Sequence, residues 1–207
     1  MATQREQFAT ALRTQAPDFH IQLSEEQIEL LADYYALILK WNELHLVAPC
    51  TPQEFAVRHV LESLTLIKHL PAGARVVDVG SGGGLPIVPC LLVRADLHAT
   101  LIESSQRKAV FLREALRLVQ PPERAGVIAA RFETADLPPV EYLTCRAVDH
   151  FKELLPILIQ RASPKTKLLL FVGNQLRTEV ESLLPSTTIE RLPHSENRYL
   201  IIASQTK

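Results

Sequence analysis

The fold is decided by the stretch Val76-Val77-Asp78-Val79-Gly80-Ser81-Gly82-Gly83-Gly84-Leu85-Pro86. Its first four residues, three valines and an acid, predict a short buried strand. The glycines that follow predict a tight turn, because a residue without a side chain tolerates positive φ and lets the backbone approach a ligand closely. The apolar residues after the turn predict a helix. The stretch therefore predicts a strand, a turn that can hold a ligand, and a helix in succession.

The spacing of the glycines is informative in itself. Gly80-x-Gly82-x-Gly84 differs from the dinucleotide fingerprint G-x-G-x-x-G. It resembles the D/E-x-G-x-G-x-G turn of S-adenosylmethionine-dependent methyltransferases, with Asp78 as the acid. The alternative is a glycine-rich turn with a purely structural role.

The residues before this stretch show the pattern of helices. A candidate capping box is formed by Ser24 and Gln27, and apolar residues recur after it at helical spacing. Thr51 and Glu54, with a proline between them, mark a further helix start. Residues 1–73 are therefore predicted to form a helical extension ahead of the first strand.

After residue 73, strand patterns alternate with helix patterns. Strands are expected at 75–79, 98–102, 126–130, 142–146, 167–172, 187–192 and 198–203, and helices at 85–94, 105–119, 151–162 and 175–184. This alternation predicts a mainly parallel sheet with helices on both faces. The last two strands are separated by a turn too short for a helical crossover, so they are expected to pair as an antiparallel hairpin. Residues 74–207 are thus predicted to be an α/β domain whose seven strands have the arrangement of the class I (Rossmann-like) methyltransferases.

Ligands of such sheets bind at the carboxyl ends of the strands. Glu103 ends the second strand, about 20 residues after the glycine turn, where an acid can accept hydrogen bonds from both hydroxyls of a ribose. The alternative is an acid that the helix macrodipole favours at a helix N-terminus. Phe132 and Glu133 end the third strand and are expected beside an adenine ring, and Arg146 ends the fourth, next to a transferred methyl group. The alternatives are exposed loop residues and, for Phe132, a core aromatic.

Composition restricts the setting in which the chain works. It has 207 residues, a formal net charge of −1 and three cysteines. An odd number of distant cysteines without a CxxC pair argues against a disulfide framework or a zinc site and fits a reducing compartment. Neither a bilayer-spanning run nor a signal peptide is seen, so a cytoplasmic protein is expected. Because free nucleic-acid binders usually carry a basic excess, an RNA substrate would require local positive charge or presentation by a structured particle.

Several further segments match one family in order and spacing. They are Leu39-Lys40-Trp41-Asn42, Arg58-His59-Val60-Leu61-Glu62-Ser63-Leu64, the glycine stretch, Glu103-Ser104 with Arg107-Lys108 and Phe111-Leu112, Arg131-Phe132-Glu133, Cys145-Arg146-Ala147, and Asn197-Arg198-Tyr199-Leu200-Ile201-Ile202. Over about residues 24–205 the chain resembles the bacterial small-subunit ribosomal RNA guanine-N7 methyltransferase G family, also called glucose-inhibited division protein B. The resemblance implies methyl transfer from S-adenosylmethionine to N7 of a guanine in 16S rRNA.

The resemblance and the strand ends together give the expected site. Cofactor contacts are expected at Asp78, Gly80, Gly82, Gly84, Leu85, Glu103, Phe132, Glu133 and Arg146. Catalytic roles are expected for Arg131, Arg146 and Arg198, and RNA contacts for Arg107, Lys108, Arg131 and Arg198. The expected partner is 16S rRNA in the 30S subunit or its assembly intermediate, with no metal, no membrane and no obligate protein partner.

The chain departs from the family at three places. Leu46-Val47-Ala48 stands where the family reads Asn-Leu-Thr, Ile87 stands where it has glycine, and Val172-Gly173 stands where it ends strand five with Lys-Gly. The first and third departures remove polar groups near the expected site and bear on substrate position and activity. The glycine turn is untouched.

The expected reaction requires little of the protein beyond the correct placement of the guanine and the cofactor. Guanine N7 carries a lone pair and no proton, so its methylation needs neither a general base nor a covalent intermediate. N7 must be held in line with the sulfonium methyl at near-attack distance. Arginine suits this task, because its planar fork can bind guanine O6 or a phosphate in bidentate fashion. Cys145 is expected to be a buried, inert thiol rather than the nucleophile of a cytosine-C5 enzyme.

Several alternatives remain open at this point. His59 either approaches the pocket or is a packed or capping histidine. The chain as a whole is alternatively a small-molecule methyltransferase of the same fold, or a catalytically impaired relative that binds cofactor or RNA. A run of basic residues is either an RNA-binding surface or a solvated helix face with interleaved acids. Its members are Arg107, Lys108, Arg113, Arg117 and Arg124.

Overall fold

The computed structural model describes residues 2–146, 151–184 and 186–204. Ala147 of the family-like segment lies outside them. The helices are α1 (Gln4–Gln15), α2 (Glu25–Lys40), α3 (Pro52–Glu54), α4 (Glu62–Leu64), α5 (Ile87–Val93), α6 (Gln106–Ala115), α7 (Phe151–Arg161) and α8 (Asn174–Leu183). The strands are β1 (Arg75–Val79), β2 (His98–Ile102), β3 (Ala125–Ile128), β4 (Tyr142–Arg146), β5 (Lys167–Gly173), β6 (Ser186–Arg191) and β7 (Arg198–Ser204).

Within the described residues, the seven strands form one sheet in the order β3-β2-β1-β4-β5-β7-β6. Neighbouring strands pair in parallel, except that β7 pairs antiparallel with β5 and β6. Val79 at the end of β1 lies opposite Ile102 of β2 and Cys145 of β4, so the carboxyl ends of these strands meet at one edge. We call it the carboxyl edge. The chain reverses its direction of travel across the sheet between β1 and β4, which is where open α/β sheets bind ligands. The predicted class I architecture with its C-terminal hairpin is confirmed.

Two of the N-terminal helices, α2 and α3, begin at the predicted caps. Ser24 accepts a hydrogen bond from the Gln27 amide and Thr51 accepts one from the Glu54 amide, and each box is closed by the reciprocal side chain. Between α3 and α4 the helix widens into a π-helix, Phe55–Leu61, and it ends in a 3-10 segment, Thr65–His69. We call the continuous stretch 52–69 the composite helix. The π-helical part is not signalled by any local sequence pattern.

Helices cover both faces of the sheet. On one face, Leu31 of α2 and Leu64 of α4 are buried in the same apolar cluster as Leu101 of β2. On the other face, Leu155 of α7 packs in a second cluster with Leu170 of β5. The N-terminal helices thus complete the core of the sheet and bring the composite helix to the carboxyl edge. The division of the chain into two domains at residue 73 stays a prediction.

Some element ends differ from the predicted ones where turns compete with regular structure. α5 begins at Ile87, two residues later than expected, because the glycine-rich turn continues to residue 86. β3 ends at Ile128 rather than at residue 130, since the Ala130 amide bonds back to the Ile128 carbonyl at 3.1 Å. α6 gives way after Ala115 to a 3-10 turn. In the described part of the chain, no helix has the length and apolar character to cross a membrane.

Candidate functional site

The turn after β1 is fixed to β2 by main-chain hydrogen bonds. The amides of Gly80 and Ser81 both donate to the Ile102 carbonyl, at 2.9 and 3.0 Å. Gly80, Gly82 and Gly84 have φ values of 67°, 50° and 85°. These values lie in the region that residues with side chains rarely adopt, so the glycines are required by backbone conformation.

The space around two of the glycines is also limited. A Cβ on Gly84 would lie 2.6 Å from Cγ2 of Val88, and one on Gly83 would lie 3.2 Å from the Leu46 carbonyl oxygen. The buried hydroxyl of Tyr34 donates a hydrogen bond to the Gly83 carbonyl. Tyr34 is not among the predicted site residues, because its contact joins positions 49 residues apart. The turn is therefore packed from behind by α2 and the loop after it.

Glu103 ties the turn to the next helix. Its side chain is buried, and its Oε2 accepts from the Gly82 amide at 2.8 Å. Its Oε1 accepts from the amide of Ser105, the N-cap of α6, also at 2.8 Å. The Glu103 carboxylate thus has a structural role at the N-terminus of α6, which was one of the two alternatives that the sequence left open. Since each carboxylate oxygen can accept more than one hydrogen bond, ribose recognition by Glu103 stays a prediction beside it.

Asp78 lies beneath the turn with its carboxyl group unpaired. It is 1% exposed, and neither carboxyl oxygen has a hydrogen-bond partner among the described residues. Burial raises the pKa of Asp78 well above its ordinary value, and the nearby charge of Glu103 raises it further. The fold therefore favours the protonated form of Asp78 more than the unfolded chain does. A direct contact between Asp78 and the cofactor stays a prediction.

A cavity of about 320 Å³ opens beside the glycine turn. Its walls come from the ends of β1 and β2, the loop after β3, and α7, through Val79, Gly80, Ile102, Ser104, Ala130, Arg131, Phe132, Glu133, Glu153, Leu154 and Ile157. It therefore brings together four predicted site residues, Gly80, Arg131, Phe132 and Glu133. Phe132 is 4% exposed, so it is both a core aromatic and a wall of the cavity. Arg131 and Glu133 are exposed.

Arg161 of α7 holds the loop that carries Phe132. Its guanidinium donates to the main-chain carbonyls of Phe132 and Ala135 and lies 5.1 Å from the centre of the Phe132 ring. A cation over an aromatic face is attracted by the ring. Arg161 therefore sets the position of the cavity wall. It is not among the predicted site residues, because its role arises from the packing of α7 and carries no motif.

Arg146 lies at the carboxyl edge, against the composite helix. Its NH1 donates to Oγ of Ser63 at 3.2 Å, and its NH2 donates to the Arg58 carbonyl and to Oε2 of Glu62, the latter at 3.2 Å. Its Cζ lies 5.2 Å from the centre of the Phe171 ring. Burial lowers the pKa of Arg146 and the charge of Glu62 opposes that change. The guanidinium remains charged, because an arginine does not deprotonate in a protein at neutral pH.

Glu62 binds a second arginine with its other oxygen. Its Oε1 accepts from Nε and NH2 of Arg198, at 2.9 and 2.6 Å. The Glu62 side chain is fully buried, whereas that of Arg198 keeps 33% of its exposure. The structure thus brings Arg146 and Arg198 together on one carboxylate, while Arg131 lies on the cavity wall. Glu62 is not among the predicted site residues, although the family-like segment 58–64 contains it.

Two further side chains near this cluster were ambiguous in the sequence. Burial and, to a smaller extent, three neighbouring guanidinium groups together lower the pKa of His59 to about 3, so the imidazole is neutral at neutral pH. Its ring packs at 5.2 Å from that of Phe55, and its approach to a ligand stays a prediction. Cys145 is fully buried and burial raises its pKa, which confirms the inert thiol. In the part of the chain that the structure describes, no group of acidic, histidine and cysteine side chains could hold a metal ion.

The basic run on and after α6 divides into exposed and buried members. The Arg107 side chain is 73% exposed and lies 3.5 Å from a carboxylate oxygen of Glu43, while Lys108 is half-buried. Arg124 is 5% exposed and donates to four main-chain carbonyls. The prediction that Arg124 belongs to an RNA-binding surface or to a solvated helix face is therefore wrong, because its guanidinium is buried against main-chain carbonyls. RNA contacts of Arg107 and Lys108 stay predictions.

Most positions that depart from the family pattern are at least partly buried, whereas Ala48 is exposed. Ile87 is fully buried at the start of α5, and Val172 is 5% exposed in β5. Leu46 and Val47 are partly buried against the core beside the glycine turn. These positions therefore stabilise the fold, and their effect on activity stays a prediction.

The sheet order, the glycine turn and the cavity beside it define a class I methyltransferase, whose cofactor is S-adenosylmethionine. Solved structures share this fold. A putative O-methyltransferase from Nostoc punctiforme gives a TM-score of 0.59 at 14% identity, covering 91% of this chain and 71% of that chain. A SAM-dependent methyltransferase from Aquifex aeolicus gives a TM-score of 0.56 at 15% identity, covering 75% of this chain and 94% of that chain. At these identities the likeness shows the fold alone.

The chain belongs to the family of the rRNA small subunit methyltransferase G (GidB), whose family model matches residues 27–200. Ribosomal RNA small subunit methyltransferase G of Paracoccus denitrificans is 35% identical over 156 residues, which are 74% of this chain and 80% of that protein. The protein of the same name from Chromobacterium violaceum is 43% identical over 95 residues, which are 45% of this chain and 46% of that protein. The match to the latter thus spans about half of its length. The family resemblance, the enzyme class and the cofactor predicted from the sequence are confirmed.

Proposed function

We propose that this chain transfers a methyl group from S-adenosylmethionine to N7 of a guanine in 16S rRNA of the small ribosomal subunit. One observation carries the proposal: the carboxyl edge of the sheet has both a ligand-sized cavity next to the glycine turn and two arginines that share a buried carboxylate. The names of the relatives support ribosomal RNA as the acceptor. The proposal places the enzyme in the bacterial cytoplasm, where ribosomal subunits are assembled.

The residues at the cavity suit the cofactor. Phe132 offers a ring face for adenine, Glu133 offers a carboxylate beside it, and the bare backbone of Gly80 permits close approach. Glu103 lies behind the turn, where its oxygens can meet ribose hydroxyls. The volume of the cavity falls in the range of small-ligand sites. When bound, S-adenosylmethionine supplies an electrophilic methyl group on a sulfonium sulfur.

The chain's own residues then have a positional task. The N7 lone pair attacks directly and no proton leaves, so no group has to act as a base. Arg146 and Arg198 are proposed to hold guanine O6 or an adjacent phosphate through N–H groups fixed before the substrate arrives. The reaction moves the positive charge of the sulfonium onto the guanine, so the task of these donors is to hold O6 or the phosphate in place with N7 in line with the methyl group. Arg131, on the cavity wall, is proposed to contact the RNA from the other side.

The charge of the chain bears on how the RNA is presented. The net charge of −1 gives little general attraction to a polyanion. Positive charge at the site is local, in Arg131, Arg146 and Arg198, with Arg107 and Lys108 on the neighbouring helix. We therefore propose that the acceptor is presented by the folded 30S subunit or its assembly intermediate rather than by free RNA.

The test measures cofactor binding and methyl transfer separately. Calorimetry first gives the Kd for S-adenosylmethionine. Transfer of labelled methyl is then compared among 30S subunits, protein-free 16S rRNA and a small-molecule extract as acceptors. We expect label in 16S rRNA, more with 30S subunits than with free RNA, and recovery of the label as 7-methylguanine after digestion.

The other outcomes correspond to the two alternatives left by the sequence. Label that enters only the small-molecule extract would establish a small-molecule methyltransferase. Cofactor binding without transfer to any of the acceptors would establish an inactive relative, for which the apolar residues at 46–48 and Val172 would be the first positions to restore.

A further inference from the structure

Glu62 differs from the other acidic residues at the carboxyl edge in what it binds. It lies in α4 with a fully buried side chain, and its two oxygens bind two different arginines from two different strands. We propose that Glu62 is the positioning residue that sets the distance and the orientation of Arg146 and Arg198. The proposal deepens the function proposed above and rests on it for the identity of the substrate.

The cluster of Arg146, Glu62 and Arg198 carries a net positive charge. One carboxylate neutralises only one of the two guanidinium groups, so the cluster keeps one positive charge. Without Glu62, the largely buried guanidinium of Arg146 would face the partly exposed one of Arg198, and like charges close to each other repel, more strongly where the dielectric constant is low. A carboxylate between them holds them close and still leaves an attraction for an anion. That is the property required of a site for a phosphate or for guanine O6.

Arg146 and Arg198 use only some of their N–H groups in the cluster. Each arginine has five N–H groups in a fixed fork. Arg146 uses NH1 toward Ser63 and NH2 toward Arg58 and Glu62, and Arg198 uses Nε and NH2 toward Glu62. Among the described residues, the Nε of Arg146 and the NH1 of Arg198 make no hydrogen bond, and neither is a buried unpaired atom. These are the donors that are proposed to meet a ligand while Glu62 fixes the groups that carry them.

The hydrogen-bond partners that hold Arg146 all lie on one helix. The Arg58 carbonyl and the Ser63 hydroxyl, which also bind Arg146, lie on the same composite helix as Glu62. The Ser63 hydroxyl in turn donates to the His59 carbonyl. Two arginines held on one rigid helix can be kept within about 0.5 Å of a productive geometry. The composite helix of the N-terminal extension is thereby part of the reaction site.

The experiment compares E62Q with a matched control. E62Q keeps the shape of the side chain and removes its charge. Glu190 of β6 binds Lys68 and His69 at the far end of the same composite helix, so E190Q removes a carboxylate that also joins this helix to the C-terminal hairpin. E62D keeps the charge on a shorter side chain. For each protein, the folded fraction, the Kd for S-adenosylmethionine, and kcat and KM with 30S subunits are measured.

We expect E62Q to lower kcat about 100-fold, as for loss of one preorganised transition-state contact. Its Kd for the cofactor and its KM should change by no more than about threefold, since binding and positioning are separate. E62D should recover part of kcat, and E190Q should match the native enzyme. Equal losses in E62Q and E190Q, or a kcat for E62Q within threefold of native, would overturn the proposal.

A second measurement keeps the proposal testable without turnover. The Nε–H signal of Arg198, bonded to Glu62 at 2.9 Å, should be visible by NMR in the native protein and in E190Q. It should be lost to solvent exchange in E62Q, and it should return in E62D. An Nε–H signal unchanged in E62Q would overturn the positioning role. If the native enzyme methylates no RNA, the function proposed above fails, and the NMR comparison still decides whether Glu62 positions the arginines.

Discussion

The amino end and the carboxyl end of the sheet each carry a cavity and a buried arginine. The cavity at the amino end has a volume of about 340 Å³ and that at the carboxyl end about 320 Å³. At the amino end, Arg124 donates to the main-chain carbonyls of four residues and is 5% exposed. At the carboxyl end, Arg146 and Arg198 share the carboxylate of Glu62 and keep donors open. Cavity size does not distinguish the two ends, whereas the partners of the arginines do.

This difference shows how the fold distinguishes an arginine with a structural role from arginines that are available to a ligand. Main-chain carbonyls carry no net charge. Those that Arg124 binds belong to two segments, 91–97 and Gln120, so Arg124 joins these segments and has little left to offer a ligand. A carboxylate shared by two arginines leaves a net positive charge and open N–H groups at the edge where ligands bind. Substitutions at either end of the sheet test this separation.

The largest effect is expected for R146A. Removing this guanidinium should lower methyl transfer about 100- to 1,000-fold, the range for loss of a preorganised donor. The protein should stay folded, because Glu62 keeps its two hydrogen bonds to Arg198. The measurement is label transfer to 30S subunits at matched folded concentration, determined by circular dichroism. Unchanged turnover would remove Arg146 from the site.

R124A at the opposite end provides the control. It leaves several buried carbonyls without donors, so the free energy of unfolding should fall by about 3 kcal/mol. Turnover per folded molecule should stay within about threefold of native, because the carboxyl edge keeps all its contacts. A specific loss of turnover in R124A would break the separation of the two ends.

The second effect concerns the glycine turn. G84A should lower the free energy of unfolding by about 3 kcal/mol, since it combines a left-handed residue with overpacking against Val88. Gly73 has a similar φ of 73° but open space around the position of a Cβ, so G73A should cost only about 1 kcal/mol. Urea unfolding measures both. Equal costs would show that backbone conformation alone, and not packing, requires glycine at position 84.

The comparison also shows what the sequence predicts. The strand, the glycine turn and the acid at Glu103 follow from patterns within about 25 residues, and all lie where expected. The position of Phe132 and the inert Cys145 follow from the strand order. These predictions hold because short-range periodicity fixes elements and the parallel sheet then places their carboxyl ends together.

The rest depends on contacts between distant positions. Glu62 meets Arg146 and Arg198 across 84 and 136 residues of chain, and nothing around Glu62 signals a shared carboxylate. Arg124 sits among other basic residues, and only the three-dimensional arrangement of loop carbonyls separates it from the exposed Arg107. Patterns of single residues therefore predict the edge at which the site lies, and packing determines how its charges are divided.

The third effect is a pH dependence that differs in sign between Asp78 and Asp96. Burial raises the pKa of Asp78, so the folded state keeps its proton after the unfolded state has lost it. Stability from this group is thus complete below the ordinary pKa and is lost as pH rises through the folded pKa. D78N removes the group, so its stability relative to native should rise with pH, by at most about 1.4 kcal/mol per unit.

D96N is the control of opposite sign. A hydrogen bond from Arg94 lowers the pKa of Asp96, so its stability is present above the ordinary pKa and is lost as pH falls. D96N should therefore be least stable relative to native at neutral pH, and the difference should narrow as the pH falls below about 5. Urea unfolding from pH 3 to pH 8 measures both variants. A D78N difference that does not depend on pH would show that Asp78 ionises normally in the fold.

The smallest effect is expected for R107A, on the exposed helix next to the site. Its pairing with Glu43 at 3.5 Å joins two side chains that are 73% and 74% exposed, so it contributes little to stability and leaves Arg107 free to meet a phosphate. Loss of one phosphate contact should weaken binding of 30S subunits by roughly 3- to 10-fold at low salt and reduce the slope of log affinity against log salt by about 1. The value of kcat should not change.

R5A is the matched control, because Arg5 is an exposed, paired arginine of α1, which contributes no residue to the cavity. An equal loss of affinity in R5A would mean that the RNA is attracted by the general charge of the protein, and a change in kcat for R107A would move Arg107 from the binding surface into the reaction site.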